Sequence, residues 1–307
     1  MNPKFKKILE KTAMQARVVW QGHILNPLWH SREERRARRQ RVTLEATMKY
    51  LHRYDSFIRS IKPSAPRPSE EPERIFTLWL QGEEKAPGLV KACIRSMRRH
   101  FSQEVVVLDE KSLTDWITLP DYIMEKHRAG KIGAAHFSDI CRVELLYRHG
   151  GYWLDSTAYV TSDFPAEISG ADFFMYLGGE KLIGSYAGVQ NCFIRSRRED
   201  PLLGIWRAAI FHYWMEEDSV ADYFVHQLLF TLSTEQNAEA ARLFGKMPHI
   251  VQDPTHALWF DHMYDPYDPE RFAELTAGTF FQKTTYKSKG LDNVPPGTMA
   301  DHMLRQY

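Results

Sequence analysis

The stretch GKIGAAHFSDICRVELLYRHGGYWLDSTAYVT, residues 130–161, changes its hydrophobic period once, and that change decides the fold class. In residues 134–149, Ile140, Val143, Leu146 and Tyr147 fall three and four apart, the spacing of one helical face turned to a core. Asp139 and Arg142, also three apart, share another face. Gly150-Gly151 closes the helix in the manner of a C-terminal cap. Alternation then takes over. A strand over residues 152–160 places Trp153, Asp155, Thr157 and Tyr159 on one side, by the period of two. A carboxylate inside such an apolar strand is costly without a partner. Two readings stand side by side. Either Asp139 and Arg142 form a buried ion pair with Asp155 as a local turn acceptor, or the three groups hold a metal-bridged diphosphate.

The same strand–helix alternation extends on both sides. Upstream, residues 75–80 and 104–108 read as short apolar strands, the second almost wholly Val and Leu, as where both faces are buried. Helices are expected from Pro87 and over 121–128. Downstream, strands are expected near 173–177 and 191–196, and helices over 201–217 and 222–233. This order implies an α/β fold around a mostly parallel sheet, with ligands at the carboxyl ends of its strands.

Charge divides the chain. The 307 residues carry 40 Lys+Arg and 39 Asp+Glu, but residues 1–62 hold 15 basic and 5 acidic side chains, so a basic arm precedes an acidic body. The arm reads as helical. Phe5, Ile8 and Leu9 interleave with lysines, and Ser31 with Glu34 forms a capping-box pattern. The helix it opens carries Leu44, Met48, Leu51, Tyr54, Ile58 and Ile61 on one face. The arm is either a solvated helix over a packing stripe or a membrane-surface or partner-binding element. Residues 63–73 are proline-rich and read as a linker, leaving 74–307 as the main domain.

Three scattered cysteines without a CxxC fit a reducing compartment and argue against a disulfide framework. No signal peptide and no span of transmembrane length is expected, which points to a cytoplasmic protein with contact to the inner face of the plasma membrane through the arm. No P-loop and no basic–aromatic RNA-binding pattern is present, so no nucleic-acid partner is expected. His249, His256 and His262, with Asp253, Asp261 and Asp265, match no usual zinc spacing and read as a polar loop.

The central block resembles the glycosyltransferase family 32 / capsular polysaccharide synthesis group, whose members carry a similar A-H-F-S-D-x-x-R-x-x-x-L-Y-x-x-G-G-x-Y/W-x-D pattern. Here it reads Ala135-His136-Phe137-Ser138-Asp139, Arg142, Leu146-Tyr147, Gly150-Gly151, Trp153 and Asp155. Weaker pieces accompany it: residues 75–82, Cys93-Ile94-Arg95-Ser96, residues 223–230 and Thr285-Tyr286-Lys287. The resemblance runs over about residues 74–290.

It implies a GT-A, Rossmann-like fold and a retaining transferase that moves sugar from a nucleotide-sugar donor, UDP- in preference to GDP-, to a polysaccharide or lipid-linked glycan. The rivals are a protein acceptor, or a degenerate transferase serving as a scaffold. Carried over by position, Asp155, Asp139 and Arg142 are the catalytic candidates. Trp79, Gln81, Tyr147 and Trp153 join Asp139 and Arg142 at the nucleotide sugar. Asp155 and Thr157 are the implied ligands of Mn²⁺ or Mg²⁺, although Thr157 stands where many relatives have a second Asp, and a hydroxyl is the poorer ligand. Asn191 is placed near the acceptor and His226 near the acceptor or the metal, unless it only packs; His136 reads as structural, and Lys287 with Tyr286 closes over the diphosphate.

Overall fold

The computed structural model describes residues 3–24, 31–63, 65, 72–179, 188–288 and 290–306. Most of the proline-rich segment lies outside the described residues.

Three helices come first: α1 (Pro3–Arg17), continued by a π-helical turn over Val18–Ile24, then α2 (Arg32–Leu51) and α3 (Asp55–Ser60). In the body follow β1 (Ile75–Leu78), α4 (Gly88–His100), β2 (Val105–Leu108), α5 (Leu113–Trp116), α6 (Asp121–Arg128) and α7 (Ala134–His149). Then come β3 (Gly151–Leu154), β4 (Ala158–Val160), α8 (Ala166–Ser169), β5 (Phe173–Leu177), β6 (Val189–Ser196), α9 (Pro201–Glu216), α10 (Val225–Gln236) and β7 (Phe281–Lys283), among further short helices.

The local signals form as the side chains dictate. Ser31 Oγ accepts the Glu34 amide while the Glu34 carboxylate accepts the Ser31 amide, so two orphan donors of α2 are satisfied. Asp200 caps α9 through the Leu202 and Leu203 amides, with Pro201 following at the first position. The glycines between α7 and β3 are required sterically. Gly150 has φ of 69° and Gly151 of 90°, and a Cβ at Gly151 would stand 2.4 Å from the Arg74 carbonyl oxygen. That approach exists because the Tyr152 amide bonds to Arg74 O at 2.8 Å, which starts the pairing of β3 with β1.

The main sheet has the order β2-β1-β3-β6-β5. Strands β1, β2 and β3 are mutually parallel, and β6 pairs antiparallel with both β3 and β5, so four strands run one way and β6 runs against them. This is the mostly parallel sheet expected from strand–helix alternation, with β6 as its one reversed strand. Only residues 178–188 separate β5 from β6, fewer than the dozen or more that a parallel crossover needs.

The arm is part of the core. Leu44, Leu51, Tyr54 and Ile58 are buried in the same cluster as Trp206, Tyr213 and Leu229 of the body. Asn237 Nδ2 donates to the Ile58 and Ile61 carbonyls and closes the end of α3. At roughly 1.5–3 kcal/mol for each large apolar side chain removed from water, this stripe stabilises the body as well as the arm.

Candidate active site

The expected strand over 152–160 is two strands in two sheets. β3 makes its last rung where the Asp155 amide bonds to Cys192 O at 2.8 Å. The chain then turns, with the Ala158 amide on Asp155 O at 2.8 Å, and re-enters as β4, which pairs antiparallel with β7. The period of two therefore ends at Asp155, and Asp155 and Thr157 sit in a turn at the carboxyl end of β3. β7 brings a residue that sequence reasoning did not single out. Its register sets Lys283 opposite Ala158, and the Thr284 amide bonds to Thr157 O at 2.9 Å, which pins the lysine beside the turn.

Two carboxylates and two cations meet there. Lys283 Nζ donates to Asp155 Oδ2 at 2.6 Å and to Thr157 Oγ1 at 2.8 Å. Arg142 Nη2 lies 3.1 Å from Asp155 Oδ1 and 2.9 Å from Asp139 Oδ1, bridging the acids. Trp153 Nε1 adds a third donor to Asp155 at 3.0 Å, and its ring stacks under the Arg142 guanidinium at 4.9 Å. Arg142 also donates to the Asn191 carbonyl. Asp139 and Arg142, which the spacing put on one helical face, form an ion pair, as in the first of the two readings, and the turn adds Asp155 to it.

A bracket holds Asp139. Asn191 Nδ2 donates to Oδ1 at 3.0 Å, and Gln227 Nε2 fixes the Asn191 amide at 3.1 Å. His226 Nδ1 lies 3.2 Å from Asp139 Oδ2. The Trp214 indole can only donate, and it reaches His226 Nε2 at 2.8 Å, so the imidazole proton sits on Nδ1 and is given to Asp139. His136 rests on the Tyr223 carbonyl and makes ring contacts with His226 and Trp214, a structural placement.

The electrostatics follow from these partners. Burial alone would raise the Asp139 and Asp155 pKa values, but the Arg142 guanidinium, reinforced by His226 at Asp139 and by Lys283 at Asp155, holds both below the usual carboxylate range. Burial likewise opposes the charge on Lys283, and the Asp155 carboxylate more than restores it. The cluster is a set of fixed charges around neutral pH.

The other expected residues separate. Trp79 lies just beyond β1 with its indole Nε1 buried and without a partner among the described residues, edge-on to Tyr286 at 5.2 Å. Gln81 is exposed in the following turn, and Lys287 is exposed beside Tyr286. Trp153 and Asn191 are buried and His226 is fully so; they support the acids and do not line an opening. Tyr147 is not part of the site: its ring packs on Gly204 and under Arg207 of α9. The helical spacing put it on the core face, where it packs, partly buried, against α9.

A divalent ion at Asp155 and Thr157 does not fit these residues as they stand. The Lys283 ammonium already lies between the two oxygens, the other Asp155 oxygen is taken by Arg142 and Trp153, and Thr157 brings no charge. No group of three or more His, Cys, Asp or Glu suited to a metal occurs among the described residues, the His249–Asp265 region included.

Comparison with known proteins adds the family. A family model described as "Capsular polysaccharide synthesis protein" matches residues 27–303. The "O-glycosyltransferase PaGT" of Phomopsis amygdali is 26% identical over 197 residues, 57% of this chain and 47% of its own length. The chain thus spans just under half of that curated relative. A solved structure titled "PaToxG Glycosyltransferase" aligns with 67% of this chain and 84% of its own, at 12% identity and a TM-score of 0.41. The family match begins inside the helical arm, upstream of the span expected from sequence, and it encloses α2, α3 and every residue of the acid–lysine cluster. The chain belongs to the capsular polysaccharide synthesis protein family.

Proposed function

We propose that the chain is a retaining glycosyltransferase of GT-A type, which moves a sugar from a nucleotide-sugar donor to a polysaccharide or lipid-linked glycan acceptor. The observation that carries this reading is the Asp139–Arg142–Asp155–Lys283 cluster at the carboxyl end of β3, where α/β sheets bind ligands. A UDP-sugar is the preferred donor. The exposed Tyr286 ring, which meets Trp79 edge-on, offers a face to a nucleotide base.

Breaking the sugar–phosphate bond leaves a nucleoside diphosphate with added negative charge, and a cation placed in advance lowers that barrier. Lys283 is suited to this. The two acceptors it meets use two of its three N–H donors, and its side chain is partly open to solvent. Arg142 has a different task. It is buried between the acids and keeps Asp155 oriented, which in turn orients Lys283. Each carboxylate accepts several hydrogen bonds from cationic or N–H donors, so both are poor nucleophiles. Retention then proceeds by displacement on one face, with the leaving phosphate oxygen taking the proton of the acceptor hydroxyl. No step needs a metal ion at Asp155.

The test is turnover of a panel of UDP- and GDP-sugars, with and without EDTA or Mn²⁺. Turnover that survives EDTA, and falls by ~10²–10³ in Lys283→Met, is expected. Turnover abolished by EDTA and restored by Mn²⁺ would overturn the lysine assignment. A covalent glycosyl-enzyme on Asp139 or Asp155 would overturn the mechanism. Neither turnover nor nucleotide binding would leave a scaffold subunit, the reading favoured by Thr157 in place of an acid.

A further inference from the structure

α1 packs with its charge inward. Lys7, Lys11 and Met14 face the body: both lysines reach the buried Glu217, at 3.3 and 3.2 Å, and Lys11 also bonds Ser219. Glu217 accepts in addition the Tyr50 and Tyr54 hydroxyls at 2.6 and 2.9 Å. The orientation of the helix is therefore set by a buried carboxylate. As a result the apolar face, Phe5, Ile8 and Leu9, points outward with exposures of 55%, 61% and 46%, and Val19 and Trp20 of the following turn extend it at 51% and 56%. A soluble amphipathic helix docked for packing alone would do the reverse.

The flank of this face is cationic. Lys6 is 63% exposed. Arg17 borders a groove of about 370 Å³ between α1 and α2, whose floor is Ala13, Met14, Ala46 and Tyr50 and whose rim adds Lys49, Arg53 and one acid, Glu10, which pairs with Arg53 at 3.2 Å and leaves the cations in excess. Arg39 lies against Gly22 beside the exposed Trp20 turn. An apolar stripe edged by lysine and arginine, with a tryptophan at its end, matches the interface of an anionic bilayer.

We propose that the outward face of α1 and its π-helical turn seats this protein on an anionic membrane surface, with Phe5, Ile8, Leu9 and Trp20 entering the headgroup layer. The inference does not depend on the transferase reading, since it rests on the helical arm and on no residue of the acid–lysine cluster.

The test is cosedimentation of the full chain with vesicles of equal parts phosphatidylglycerol and phosphatidylcholine, beside vesicles of phosphatidylcholine only. The wild type is expected to bind the anionic vesicles and to lose binding at high salt. The triple variant Phe5→Ser, Ile8→Ser, Leu9→Ser is expected to bind at least ~10-fold more weakly at an unchanged melting temperature, because the three side chains are exposed. Absence of wild-type binding, or equal binding by the variant, would overturn the proposal. A wild-type dimer that the variant turns into a monomer, with no vesicle binding by either, would also overturn it, in favour of a second copy on this face.

Discussion

Replacing Arg142 by Met keeps much of the volume and the stacking on Trp153, and removes the charge that bridges Asp139 and Asp155. Asp155 keeps Lys283 at 2.6 Å, while Asp139 keeps only the neutral donors Asn191 and His226. Leaving a buried charge uncompensated costs roughly 3–5 kcal/mol. At about 2 °C per kcal/mol for a chain of this size, that is a fall of ~6–10 °C in melting temperature near neutral pH. The pH dependence carries the stronger test. In the wild type both acids have folded pKa values below the ordinary carboxylate range, so their stabilisation is present above about pH 4 and is lost on acidification. In Arg142→Met, burial of Asp139 is no longer opposed by the guanidinium, and its folded pKa moves above the unfolded value. Protonation then relieves the strain, so the variant's deficit should shrink as pH falls, to roughly half at about pH 5 of its value at about pH 8. Paired thermal melts of both proteins across this range measure it. A deficit that is pH-independent, or below ~1 kcal/mol throughout, would refute the claim that Arg142 neutralises the two acids.

Gly151→Ala should cost more than ~3 kcal/mol and abolish soluble expression, because a methyl group would meet the Arg74 carbonyl at 2.4 Å on a backbone with φ of 90°; a stable, soluble variant would show that β3 does not approach β1 this closely. Glu217→Ala leaves the Tyr50 and Tyr54 hydroxyls buried without their acceptor and should lose ~2–5 kcal/mol in urea unfolding, whereas Glu217→Gln keeps an acceptor and should lose less; equal losses would mean that the tyrosines find other partners.

Much of the fold is legible locally. The helices over 121–128 and 134–149, and the strand over 173–177, form at the bounds their apolar periods and glycines mark, because each signal lies within the segment it describes. Asp139 and Arg142 meet as their spacing requires. What was not legible depends on residues distant along the chain. The break at Asp155 arises from the competing pairings of β3 with β6 and of β4 with β7, and no period inside 152–160 records it. Lys283 carries no local mark, since a lysine at a short strand end is ordinary until β7 sets it against Thr157. The tasks of Trp153, Asn191 and His226 shift from touching a ligand to holding the acids, because burial is decided by what packs over them.

The sequence alone therefore determined the alternating elements, the paired acid and base on α7, and the amphipathic, basic character of the arm, all properties of neighbours within a few residues. Tertiary structure decided the reversed strand β6, the lysine between Asp155 and Thr157, and the outward face of α1. Each is the outcome of satisfying a buried polar group with a partner from elsewhere in the chain: a rung for β3, a cation for Asp155, two lysines for Glu217.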